Sequence, residues 1–229
     1  MTRSFSRDGL GEDSSTIHQA KDYGHLVAQC RGFLSEPQLR THFELYQGYV
    51  KKLNEIEDLL TTSSREGANY SHDVYSELRR REPVAYNGTF LHELYFGNLG
   101  PPKAEVPAAI QQAEEKAFGS WDNAMADLVA MTQSTHGWVL VTSDLGSGRL
   151  RHNLVHSEHD GGLFANQAVL LAIDCWEHAY FLDYSLRKNE YVEGVLSHLD
   201  WAVVQDRLDR ASAFAVSGKE SGPGLLRSQ

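Results

Sequence analysis

From Leu39 onward, apolar or aromatic side chains recur at Leu39, Tyr46, Tyr49, Leu53, Ile56 and Leu60, and His42 falls on the same stripe. The steps alternate between three and four residues, so one face of an α-helix stays apolar for many turns. The pattern predicts a long helix packed against a neighbour. Its start is marked by Ser35 as N-cap, Pro37 in the first turn and Gln38 as capping-box partner. Residues 68–81 predict a weaker helical segment, and Asn87-Gly88 a turn. A further helix carries His92, Tyr95, Phe96 and Leu99 on one face until Gly100-Pro101-Pro102 stops it. Two helices with inward aromatics and a moderate connection predict an α-hairpin.

Past the prolines the pattern predicts helices over 106–117 and 120–131, the second capped by Ser120. Strand-like runs follow at 137–142, 149–156 and 167–174, and Gly146-Ser147-Gly148 reads as the hairpin turn between the first two. The third run contains AVLLAI, as expected of a strand buried on both faces. Short helices are expected at 180–184 and 190–198, and a last one from 201 to about 213. The fold class is therefore α+β: a long N-terminal α-hairpin, then an α/β domain with a small three-stranded antiparallel sheet flanked by helices. The expected division is a mobile extension over 1–30, the hairpin over 31–102, the α/β domain over 103–216 and a flexible tail over 217–229.

Composition narrows the function. With 41% hydrophobic residues in 229, the chain can bury a real core. A formal charge of −10 argues against nucleic acid as a partner, since phosphate binding needs clustered Lys and Arg. An anionic substrate would need a local basic spot, for which Arg187 and Lys188 are the candidates. No segment approaches a membrane span, the first residues carry no apolar run of a secretory signal, and Cys30 and Cys175 form no disulfide framework; a cytoplasmic protein is expected.

The candidate chemistry lies in the histidines. His42 and His92 sit on the two apolar faces of the hairpin, and buried imidazoles are costly unless each finds a partner. Asp174 ends the apolar strand, with His178 four residues on, across a change of structure. Three imidazoles and one carboxylate suit iron, manganese or zinc. Tyr49, Phe96, Trp138 and Trp176 would wall that site, which favours a redox metal over structural zinc. Tyr49 is placed to hydrogen-bond a metal-bound water. A rival zinc site is His152, His156 and His159. A non-haem iron oxygenase, with two histidines and one carboxylate, fits the ligand count less well.

The stretches LRTHFELYQGYVKKLN, FLHELYFGNLGPP, FGSWDNAMADL, HGWVLV and DCWEHAYFLDY, followed by NEYVEGVLSHLDW, resemble the iron/manganese superoxide dismutases over residues 32–208. The D-x-W-E-H-A-Y string is the most specific of them. The resemblance implies His42, His92, Asp174 and His178 as ligands of one iron or manganese ion, with superoxide as substrate. It implies Tyr49 as the gateway tyrosine, His159 against the metal-bound water, and Trp138, Trp176, Tyr46 and Phe96 around the pocket. Glu177 would reach across a homodimer interface to the other subunit's His178, and a tetramer is also open. The chain departs from the family's pattern at several positions. The first ligand usually stands eight residues before the tyrosine, whereas His42 stands seven before Tyr49, with Thr41 at eight. A histidine one turn before the tyrosine is replaced by Leu45 or Tyr46, its cross-dimer tyrosine partner by Phe181, and the asparagine before the second ligand by Leu91. These departures leave open a catalytically impaired, metal-binding protein of the same fold.

Overall fold

The computed structural model describes residues 17–102, 105–156, 158–161 and 164–220. A short helix α1 (Leu26–Gln29) leads into α2 (Glu36–Thr62) and α3 (Val74–Gly97), which pair along their length as the expected hairpin. The α2 stripe is buried as its spacing demands: Leu39, His42, Tyr46, Val50, Leu53, Ile56 and Leu60 all face inward. Towards the hairpin's tip, Leu53, Ile56 and Leu60 pack with Ala85 in a small cluster of their own. The tip therefore holds itself together, and the base is free to join the main core.

Helices α4 (Ala108–Phe118) and α5 (Trp121–Gln133) follow, then strands β1 (Trp138–Asp144), β2 (Leu150–Val155) and β3 (Gln167–Asp174). The sheet is antiparallel in the order β2-β1-β3, so β1 is central and β3 lies on an edge. Trp138 pairs with Asp174 at one end of the sheet, which fixes where β3 delivers its carboxylate. A 3-10 turn (Glu177–Ala179), α6 (Phe181–Tyr184), α7 (Lys188–Ser197) and α8 (Trp201–Glu220) complete the described chain. Leu39, Tyr95 and Phe96 of the hairpin share one core with Trp138, Leu170, Ile173 and Val195.

Four local expectations change. Asn87-Gly88 is not a turn; α3 runs through it and through Pro83. A Cβ on Gly88 would lie 2.5 Å from a Tyr49 ring carbon, so the glycine is there to let the two helices approach. Of the stretch expected to be mobile, residues 1–16 lie outside the described residues, but Tyr23, Leu26 and Cys30 are buried in the core. Their steps of three and four residues follow the helical repeat, but three positions make too short a run to stand out from their polar surroundings. In the expected tail, α8 continues to Glu220, and 221–229 lie outside the described residues. Finally, Ser35 does cap α2 by accepting from the Gln38 N–H at 3.2 Å, but the Gln38 side chain does not return to Ser35. It spans instead to the His178 carbonyl (2.6 Å) and the Leu182 N–H (3.1 Å). The Ser35 N–H donates to Asp183 Oδ2 at 2.6 Å. These bonds tie the first turn of α2 to the segment that carries His178.

Candidate metal centre

His42 and His92 come from the facing sides of α2 and α3; Asp174 is the last residue of β3; His178 stands on the 3-10 turn that follows. One donor atom from each lies within 4.8 Å of every other. His42, His92 and Asp174 are buried, and the His178 side chain retains 25% exposure. Three imidazole Nε2 atoms point at one oxygen, Asp174 Oδ2: His178 at 3.0 Å, His42 at 3.1 Å and His92 at 3.7 Å. The other carboxylate oxygen is held by the Trp176 N–H at 2.9 Å, which leaves Oδ2 directed inward.

The tautomer of His92 follows from its partner. Its Nδ1 lies against the Gly88 carbonyl, which can only accept, so Nδ1 carries the proton. Burial pushes the His92 pKa well down, so the ring is neutral and Nε2 presents a bare lone pair. That nitrogen is buried and has no hydrogen-bond partner. A lone pair aimed at a carboxylate oxygen is repulsive unless a cation lies between them. Burial also lowers the His42 pKa, against the opposing pull of Asp174. Burial alone would raise the Asp174 carboxyl, but His178, then His42, hold it well below the usual carboxylate range. Neutral imidazoles and an ionised carboxylate are the forms that ligate a metal.

The seven-residue step from His42 to Tyr49 is no obstacle. At 3.6 residues per turn, seven residues return to within about 20° of the same face, whereas eight would miss by about 80°. Helix α2 is continuous through both. Four aromatic rings surround these imidazoles. Phe96 meets His42 edge-on at 4.8 Å, and Trp138 meets His92 at 5.0 Å. Tyr49 stacks on His92 at 5.4 Å, and Trp176 on His178 at 6.3 Å.

His159 closes a second chain of bonds. Trp138 Nε1–H can only donate, and it donates to His159 Nδ1 at 2.7 Å. The neutral ring therefore carries its proton on Nε2, which donates to the Tyr49 hydroxyl at 2.8 Å. Burial lowers the His159 pKa, which keeps the ring neutral. Burial and the Asp174 charge raise the Tyr49 pKa, so its own O–H proton stays in place, free to donate elsewhere. The loop bearing His159 is anchored by Asn87 Nδ2, which donates to the His159 carbonyl at 2.8 Å, and by the ion pair of Arg81 with Glu158.

Other expected residues sit differently. Tyr46 is buried but turns its hydroxyl to Glu93 Oε1 (2.9 Å), away from the centre. The three histidines of the rival zinc site do not converge. His152 pairs with Asp127 and Glu114, His156 lies on the surface, and His159 faces Tyr49. Arg187 pairs with Glu190, and Lys188 Nζ donates to the Thr135 carbonyl at 2.6 Å, so neither is a free basic spot at the centre. Glu177 and Phe181 are exposed beside His178. The bonds of Gln38, Asn87, Tyr95 and Tyr191 around the centre do not follow from the sequence pattern. The only signal these residues gave was a polar group on a face otherwise apolar.

The family model described as iron/manganese superoxide dismutases, C-terminal domain, matches residues 106–207. The iron superoxide dismutase of Aquifex pyrophilus is 34% identical over 200 residues, covering 85% of this chain and 93% of its own length. The iron enzyme of Cupriavidus metallidurans is 33% identical over 189 residues, 81% of this chain and 93% of its own. Manganese superoxide dismutase 1 of Halobacterium salinarum is 29% identical over 183 residues, 78% and 88% of the two chains. With relatives 34% and 33% identical over more than four fifths of its length, the chain belongs to the iron/manganese superoxide dismutase family.

Proposed function

We propose that the protein is a superoxide dismutase, converting superoxide to dioxygen and hydrogen peroxide, with one iron or manganese ion held by His42, His92, Asp174 and His178. The observation that carries the ligand assignment is the buried, unpartnered Nε2 of His92 directed at a carboxylate oxygen. When bound, the metal supplies a one-electron couple that one superoxide reduces and a second reoxidises. The chain's own residues do the rest. The aromatic walls exclude water and keep the surroundings of low polarity, which strengthens charge interactions inside. Tyr49 holds a proton at its hydroxyl, fixed by His159, and offers it toward the centre; His159 acts through Tyr49, not directly. Peroxide formation consumes two protons, and this pair is the first stage of their delivery.

A homodimer is part of the proposal. Beside the 25%-exposed His178 side chain, Glu177 is exposed, and Phe181, Leu182 and Leu186 present 44%, 63% and 87% of their surfaces. A second copy over this face would cover the exposed part of His178. Among the described residues no helix is long and apolar enough to cross a membrane. We place the enzyme in the cytoplasm because both cysteines are free and buried. The test is elemental analysis of purified protein beside its superoxide-consuming activity after reconstitution with iron and with manganese. Stoichiometric metal with matching activity is expected; folded protein that takes up either metal without activity would refute the assignment.

A further inference from the structure

Strand β3 is an edge strand, so one side of its backbone has no neighbouring strand to pair with. Residues 171, 173 and 175 face inward, as the Cys175 N–H donating to the Gly137 carbonyl at 2.9 Å shows. The outward groups therefore belong to Leu170, Ala172 and Asp174, in the two-residue repeat of a strand. Each has a side-chain partner. Arg207 Nη1 donates to the Leu170 carbonyl at 2.7 Å. The Asn98 amide takes both groups of Ala172: its Oδ1 accepts from the Ala172 N–H, and its Nδ2 donates to the Ala172 carbonyl, both at 3.3 Å. The Tyr191 hydroxyl donates to the Asp174 carbonyl at 2.8 Å.

These partners are linked to one another. Arg207 Nη1 also donates to Asn98 Oδ1 at 3.1 Å, and Asn98 Nδ2 to the Tyr95 carbonyl at 3.0 Å. The Tyr191 and Tyr95 hydroxyls lie 3.0 Å apart. Tyr191 has one hydroxyl proton, and the Asp174 carbonyl can only accept, so Tyr95 donates to Tyr191. Tyr95 is fully buried, with its ring tilted against His42 at 5.4 Å.

We propose that Arg207, Asn98 and Tyr191 form a side-chain substitute for a fourth strand, which locks the register of β3 and so positions Asp174 for the metal. They are positioning residues: Tyr191 holds the backbone carbonyl of Asp174, and Arg207 and Asn98 hold the strand that leads to it. The bonding repeats at every outward residue from 170 to 174 and ends on the carboxylate-bearing residue. Ordinary core packing would cover the edge with apolar side chains and would not match its donors and acceptors in register. An edge strand left open would also be free to slip by two residues without losing its buried face. Such a slip would withdraw Asp174 from the three imidazoles. This inference rests on the metal-site reading only for its functional consequence.

The first test is therefore made on the metal-free full chain, by residue-resolved amide hydrogen exchange. The Ala172 amide is expected to exchange as slowly as those of Leu171 and Ile173. Exchange at Ala172 orders of magnitude faster than at Leu171 would overturn the proposal. The second test uses iron- or manganese-loaded Tyr191→Phe and Arg207→Met, with Leu128→Ala, a core variant remote from the edge, as a stability-matched control. The first two should lose about 10- to 100-fold in metal affinity and shift the visible absorption band of the bound metal. The control should do neither, and Arg207→Lys, which keeps one donor, should stay within a few-fold of the native affinity. Native affinity and band in Tyr191→Phe would overturn the proposal. If native protein binds neither metal, the metal-site reading fails, and the exchange result still decides the edge.

Discussion

Two clusters of histidine and carboxylate lie inside this molecule, and they are built on opposite arithmetic. At the His42, His92, Asp174 and His178 cluster, three imidazole nitrogens crowd one carboxylate oxygen, and His92 Nε2 and, on the far side of its ring, His42 Nδ1 are left without a hydrogen-bond partner. At the other, one imidazole lies between two carboxylates: His152 Nδ1 is 2.8 Å from Asp127, and Nε2 is 3.4 Å from the buried Glu114. Phe118 stacks on that ring at 4.2 Å. Burial alone would lower the His152 pKa, but Glu114 and Asp127 raise it above the ordinary histidine value. His152 Nε2 and Glu114 Oε2 form no hydrogen bond as they stand, but a proton on the ring would make them a donor facing an acceptor 3.4 Å away; at the first cluster three nitrogens face one oxygen, and a cation with several coordination positions answers that better than a proton. Histidine count therefore says little about metal binding. The ratio of nitrogen lone pairs to acceptors says much more.

This contrast can be broken in several ways. The largest effect is expected from His92→Leu, which removes a ligand: activity should fall roughly 1,000-fold or more, whereas His152→Leu should keep the native kcat per bound metal. Stability should separate the clusters in the opposite sense. In metal-free protein, His152→Leu strands the buried Glu114 carboxylate and should cost about 2–3 kcal/mol in urea unfolding. Metal-free His92→Leu relieves a buried, unpartnered nitrogen and should be neutral or stabilising by about 1 kcal/mol. A comparable loss in both variants would show that the first cluster needs no cation.

A smaller effect is expected at Tyr49→Phe. The metal should remain bound, kcat should fall about 10-fold, and the pH profile should move, because His159 no longer positions a proton at a hydroxyl. The smallest effect is the pH dependence of the second cluster. A histidine whose pKa is raised on folding stabilises fully below its unfolded value, near 6.5, and loses that contribution as pH rises through the folded value. The stability gap between native protein and His152→Gln should thus shrink from about 1 kcal/mol at pH 5.5 to near zero at pH 9, Asp127 being half-exposed and screened. A constant gap would mean that His152 is not charged in the folded state.

Legibility in the sequence followed physical range. The α2 stripe, the apolar run of β3 and the hairpin glycines are local periodic signals, and they placed the hairpin and the sheet. The four candidate ligands were legible because each is a polar group set in an apolar frame, which only a shared partner can justify. Tertiary context overrode the local signals elsewhere. Asn87-Gly88 has turn chemistry, yet it stays helical because the Tyr49 ring fills the space a Cβ would take. Gln38 has capping-box spacing, yet it reaches the His178 carbonyl. Asn98, Tyr191 and Arg207 were silent because their partners are backbone groups of a strand far away in the chain.

The central claim is that an unpaired lone pair and a shared carboxylate oxygen make the first cluster a one-metal site. The most direct measurement is competitive titration of iron(II) and manganese(II) into metal-free native protein, Asp174→Asn and His152→Gln. The account predicts one tight site per chain in native protein and in His152→Gln, and no tight site in Asp174→Asn. Tight binding that survives Asp174→Asn, or that disappears in His152→Gln, would contradict it.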